Sequence, residues 1–71
     1  MLRLRQERLR RRWSLLDVAI RTHIESTNVS KIERGLLPAY PGWRRRIAEV
    51  FGLPEEVLFE EVPADDERER D

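Results

Sequence analysis

The amino-acid sequence predicts an all-α fold: a compact bundle of five short, non-parallel helices followed by a disordered acidic tail. Three observations predict it. Helix-forming runs with apolar residues three and four apart recur along residues 2–59, and no alternating strand pattern survives anywhere. Start and stop signals (Ser14, Gly35, Pro41, Gly52, Pro54) fall between those runs, leaving connections of two to seven residues. Finally, 71 residues with no cysteine and one histidine make one small domain with no disulfide, thiolate zinc or all-histidine site to staple it. Helix packing or self-association must hold it together. The folded domain is expected over residues 1–61 and the tail over residues 62–71.

Each element has a local reason. Residues 2–12 are good helix formers, with Leu2, Leu4 and Leu9 marking a ragged apolar side. Ser14 before "LLDVAIRT" reads as an N-cap, with Asp17 three residues on in the capping-box place. That second helix should end near His23. A third starts about Ser26 and runs through "TNVSKIER", with Val29 and Ile32 sharing its inner face and Gly35 closing it in a left-handed conformation. "LLPAYPG" is a loop. Pro41 belongs to the first turn of a fourth helix, "PGWRRRIAEVF", in which Trp43, Ile47, Val50 and Phe51 recur at helical spacing until Gly52. Pro54 opens a short last helix, "PEEVLF", and "PADDERERD" carries nothing apolar larger than alanine.

The span Leu15–Lys31 reads as two helices around a tight turn. Helices crossing at roughly 100° need a small residue where they touch, which Ala19 supplies. Four residues later the turn needs a residue tolerant of positive φ, and His23 stands there; histidine is enriched in that region. Ile24 then plugs the corner. The spacing of Ala19, His23, Ile24, Val29 and Ile32 fits a helix-turn-helix.

With those residues in place, the segment "WSLLDVAIRTHIESTNVSKIERGLLPAYPGWRRRIAEVFGLPEEVL" resembles the phage-repressor helix-turn-helix family, the Cro/CI kind also called XRE. The resemblance rests on Ser14, Ala19, Ile24, Val29, "SKIERG", "RIAEVFGL" and "PEEVL" in this order. It implies a five-helix lambda-repressor-like bundle whose third helix enters the DNA major groove. Carried over by position, Lys31 would donate to guanine, Asn28 pair with adenine, the Thr27 methyl touch a thymine methyl, and Ser26 and Glu25 face base edges. Ser14, Ser30, Arg34, Tyr40, Arg44 and Arg45 would hold phosphates. For Tyr40, burial in the fold is an equal alternative. The resemblance also implies a buried structural ion pair between Arg8 and Glu33, and pairing of two chains through Leu53, Val57, Leu58 and Phe59.

Charge distribution supports that direction. The net charge is zero, yet residues 1–46 hold 12 Arg/Lys against 4 Asp/Glu, a net of +8, and residues 47–71 hold 2 against 10, a net of −8. A basic face joined to an acidic tail is the expected footprint of a nucleic-acid binder, although arginines also simply solvate helix faces. The tail is read as a solubility device, or as a competitor for the basic half. The carboxylates make no enzyme: the Glu55–Glu56 and Glu60–Glu61 pairs are adjacent in sequence, and no nucleophile set, phosphate loop or metal spacing occurs. No cofactor is expected. No apolar run exceeds three residues, so neither a signal peptide nor a membrane span is expected, and the cytoplasm, on the nucleoid, is the expected address.

The sequence therefore predicts a DNA-binding transcriptional regulator, a bacterial or phage repressor type acting as a homodimer on a two-fold operator. Departures from the family pattern support a rival. Leu15 replaces the usual glutamine, and Leu16 and Ile20 take positions usually polar. Leu16 and Ile20 either fill a core enlarged by Trp13 or Trp43 or, with Leu15, form a stripe for a protein partner of the cell-shape, antitoxin or cofactor type. Trp13, Trp43, Phe51 and Phe59 are expected to face inward.

Overall fold

The computed structural model describes residues 1–63, and they form five helices and no strand: α1 (Arg3–Arg10), α2 (Leu15–Thr22), α3 (Ser26–Glu33), α4 (Pro41–Phe51) and α5 (Glu55–Leu58). The tail expected from residue 62 onward lies, from residue 64, outside the described residues. Val62 itself is buried, and its N–H donates to the Met1 carbonyl at 2.8 Å. An isolated antiparallel bridge between Leu2 and Glu61 and a bond from Arg3 N–H to the Glu60 carbonyl (2.9 Å) complete a clasp between the two ends of the described chain.

That clasp explains why α1 begins at Arg3 rather than Leu2. Leu2 is extended (φ −73°, ψ 146°), held in the bridge. The helix also ends earlier than residue 12. Arg12 adopts a left-handed conformation (φ 60°), its N–H reaching Leu9 O (3.0 Å) while Trp13 N–H reaches Arg8 O (3.1 Å). This is a Schellman ending in which arginine occupies the place glycine normally takes. The α3 ending is the same motif with Gly35 in that place (φ 75°): Gly35 N–H reaches Ile32 O (3.1 Å) and Leu36 N–H reaches Lys31 O (2.8 Å). Gly52 (φ 69°) stops α4.

Leu4, Val18, Ile24, Val29, Ile32, Ile47, Phe51 and Leu58 form one contiguous buried core to which every helix contributes. Trp13, Trp43 and Phe59 are half-buried against it, and Trp13 meets Phe51 edge-on with ring centroids 5.2 Å apart. Two expectations need correction. Leu9, assigned to the apolar side of α1, is 45% exposed, because α1 turns Leu4, Glu7 and Arg8 inward instead. Leu58, assigned to a dimer surface, is wholly buried in the core and has nothing left to offer a partner.

The inward Glu7 is neutralised by the start of a polar strap. Arg11 Nη1 donates to Glu7 Oε1 (2.6 Å), and Arg11 Nη2 donates to the Phe51 carbonyl (2.9 Å) at the end of α4. Arg10 Nη1 takes the other Glu7 oxygen (3.1 Å), and Arg11 thus joins a buried carboxylate to an orphan helix-end carbonyl, tying α1 to α4.

Candidate nucleic-acid interface

The candidate site is built on the α2–turn–α3 unit. At its start, Ser14 Oγ accepts Asp17 N–H (3.0 Å) and Asp17 Oδ2 accepts Ser14 N–H (2.8 Å), the reciprocal capping box that the sequence predicts. The backbone and side-chain hydrogen bonds from Ser14 hold the Asp17 carboxyl below its ordinary pKa, with a smaller contribution from Arg21. At the turn, His23 is left-handed (φ 61°, ψ 33°) and its N–H reaches Ala19 O at 2.8 Å. Ile24 is buried beneath the corner.

One brace at this turn is invisible in the sequence. Arg46, on α4, donates from Nη1 to the carbonyls of Thr22 (3.2 Å) and His23 (3.4 Å). It supplies positive charge to carbonyls that α2 leaves unpaired. No spacing rule connects it to a turn over twenty residues away.

The far end of α3 is fixed by the Arg8–Glu33 pair. Arg8 Nε and Nη2 meet the two Glu33 oxygens at 2.7 and 3.1 Å, while Nη1 donates to the Trp13 carbonyl at 3.0 Å. Both side chains are under a tenth exposed. Held at its far end by this pair and following the turn that Arg46 braces, α3 buries Val29, Ile32 and Glu33, while Thr27, Lys31 and its C-cap residue Arg34 face solvent. Those three recur at i, i+4 and i+7, one face of a helix.

Ser26, Thr27, Ser30, Lys31 and Arg34 line one open concavity of about 300 Å³ together with Leu15 from the first turn of α2. Asn28 and Glu25 stay outside it: Asn28 lies further round the helix, and Glu25 is the exposed N-cap residue, making no side-chain cap bond. The residues expected to hold phosphate separate too. Ser30 and Arg34 join the concavity, with Arg34 Nε reaching back to Ser30 O (3.3 Å). Tyr40 is exposed and stacks edge-on with Trp43, centroids 5.0 Å apart. Arg45 is exposed, with no ion pair among the described residues.

Arg44 is occupied elsewhere. Its Nε meets Glu55 Oε1 at 3.1 Å, its guanidinium lies 4.2 Å from the Phe59 ring centroid, and it lines a different groove with Leu2, Leu36 and Leu37. Ser14 gives its N–H to Asp17 and accepts from Asp17 N–H through Oγ, which leaves its O–H free to donate, while the Asp17 charge opposes an incoming phosphate. Leu16 and Ile20 do not enlarge the core: they are 61% and 64% exposed, one turn apart on α2. Leu15 is separate from that pair, half-buried against the core and open to the α3 concavity. Among the described residues no helix is long and apolar enough to cross a membrane.

Comparison with known proteins bears on the whole of this architecture. No curated protein and no solved structure matches the chain. A family model described as a helix-turn-helix domain matches residues 2–60, from the clasp through α5, and so takes in the capping box, the left-handed turn and the solvent-facing α3 described above. The chain belongs to this helix-turn-helix family, which is of the Cro and XRE kind.

Proposed function

We propose that the chain is a sequence-specific DNA-binding transcriptional regulator that reads the major groove with α3. The observation that carries this reading is the gathering of Ser26, Thr27, Ser30, Lys31 and Arg34 on one open face, on a helix whose far end is held by Arg8–Glu33 and which follows a turn braced by Arg46. Hydroxyls and a primary ammonium are groups that bond base edges, and the adjacent guanidinium suits a phosphate. One such helix reads about four base pairs, too few for genomic specificity, so the working form is a homodimer on a two-fold operator. Leu53, Val57 and Phe59, half-buried around α5, are the residues we assign to the dimer surface. Occupying DNA excludes polymerase, so repression is the direction we assign, with the cytoplasmic nucleoid of a bacterium or the phage that infects one as its place. We assign it no catalytic step.

Selection of bound fragments from random duplex DNA tests the reading, with a palindromic consensus expected. On that site, Lys31→Ala should cost about 1–3 kcal/mol while leaving non-specific binding nearly unchanged. An equal loss on every sequence would make Lys31 a phosphate contact, and no binding at low salt would overturn the assignment.

A second reading is supported by the exposed Leu16–Ile20 pair. Two large apolar side chains one turn apart, beside the Asp17 and Arg21 charges, suit a helix of a partner protein. A Leu16→Lys/Ile20→Lys variant separates the two. If the patch docks a protein, regulation in cells is lost while DNA affinity in vitro is kept; unchanged regulation removes this reading.

A further inference from the structure

The concavity beside Lys31 has a feature that hydrogen-bonding recognition does not explain. Its α2 contribution is Leu15, at the first helical position, where only dispersion and apolar burial can act. The capping box holds that position firmly, since Ser14 and Asp17 pin the turn on which Leu15 sits. Leu15 also packs against the core, so its side chain is held from one side and open on the other. Thr27 lines the same concavity from α3 and has a γ-methyl to offer it.

Every polar base edge in the major groove carries a hydrogen-bond donor or acceptor, and pressing one against leucine strips its water without replacement. The thymine 5-methyl group is the feature that gains from such a contact. Lys31 and Arg34 on the same rim make the site cationic, which favours a polyanionic duplex over an apolar peptide as its occupant.

We infer that this concavity is a seat for the 5-methyl group of a pyrimidine in duplex DNA, with Leu15 and the Thr27 methyl as its apolar contacts. The inference rests on the DNA-binding reading above and adds the base it selects. Leu15 is then a specificity-determining residue, and each half-site contains a thymine next to the base that Lys31 reads. A cytosine at that place binds less well, and its 5-methyl derivative regains the share of the loss that is due to the methyl.

The test uses the full chain and the duplex obtained by selection. Each thymine of a half-site is replaced in turn by deoxyuridine, which deletes the methyl and leaves every hydrogen-bonding group in place. One position per half-site should lose affinity by about fourfold, the worth of one buried methyl, and the others should change little. In Leu15→Ala the same replacement should have no effect. Leu15 is half-buried, so Thr27→Ser, an exposed change that deletes a methyl, provides a second variant; it should shrink the deoxyuridine effect without altering thermal stability. Lys31→Ala should keep the methyl dependence. Tight, selective binding with no thymine sensitive to deoxyuridine overturns the seat while leaving the regulator reading intact. So does a methyl effect undiminished in both Leu15→Ala and Thr27→Ser. Absence of any duplex binding overturns both.

Discussion

Replacing Glu33 by glutamine should remove a large share of the stability of this fold. The carboxylate receives two guanidinium N–H groups at 2.7 and 3.1 Å, and the side chains of Arg8 and Glu33 are 9% and 3% exposed. Glutamine keeps the size and loses the charge, leaving a guanidinium that is buried with the Trp13 carbonyl and one amide oxygen as acceptors. Stripping one partner from a buried pair costs about 3–5 kcal/mol, because the remaining charge stays out of water without compensation. A folded body of this size has roughly 3–9 kcal/mol in total. With a urea m value of about 1 kcal/mol/M, the unfolding midpoint followed by far-ultraviolet circular dichroism should fall by about 3 M, or the chain should fail to fold at all. The double change Arg8→Met/Glu33→Leu removes both charges and should recover most of the loss, since apolar residues of similar volume replace buried pairs at little cost. A midpoint shift equivalent to less than about 1 kcal/mol in Glu33→Gln would mean that water reaches the pair, and the clamp argument for α3 would fail with it.

Three further outcomes follow from local features. Asp17 has a folded-state pKa below its ordinary 3.8, so the capping box contributes fully above that value; the contribution falls as the pH drops through the folded pKa, because the unfolded chain takes the proton first. Melting temperatures from pH 5 down to 2.5 should therefore drop less steeply in Asp17→Asn than in the parent, and parallel curves would contradict this. Arg12 and His23 hold left-handed backbone at φ 60° and 61°, so Arg12→Gly and His23→Gly should each stabilise by roughly 0.5–1 kcal/mol after the entropy cost of glycine; a loss in either would show that the replaced side chain contributes more than its strain costs. Arg46→Met should lower stability by about 1 kcal/mol through two abandoned carbonyls, and faster amide exchange should appear first at His23 and Ile24; uniform exchange would place the brace elsewhere.

Most of the local structure was legible because its causes are local. Ser14 and Asp17 are three residues apart, the distance a capping box requires, and they form one. His23 stands where the turn needs positive φ and takes it, and Gly35 does the same one helix later. The Arg8–Glu33 pair was expected from the family resemblance; nothing in the spacing of two residues 25 apart announces it. What stayed hidden depends on packing between distant segments. Arginine carries no signal for a left-handed helix ending, so the sequence alone runs α1 on through Arg12. Arg44 counts as a cation beside α4, yet its charge is spent on Glu55 and Phe59. In the four-residue α5 no periodicity exists to tell the core-facing Leu58 from its half-buried neighbours.

The same consumption of charge sets the strength of any DNA contact. A count of 12 basic residues in the first 46 overstates what the surface can give. Arg3, Arg8, Arg10, Arg11, Arg21 and Arg44 are all in salt bridges, and Arg46 is bonded to the turn. Of the cations assigned to DNA, Lys31, Arg34 and Arg45 remain without a carboxylate partner among the described residues. With Lys31 spent on a base, Arg34 and Arg45 give about four phosphate contacts for a dimer, hence a slope of log K against log salt of about −4. Using all 12 cations of the basic half in each protomer would demand a slope of about −20. A measured slope close to −10 would require the internal ion pairs to open on binding, and Glu55→Gln, which frees Arg44, would then leave the slope unchanged. If instead the pairs stay closed, Glu55→Gln releases one more cation per protomer and steepens the slope by up to about 2.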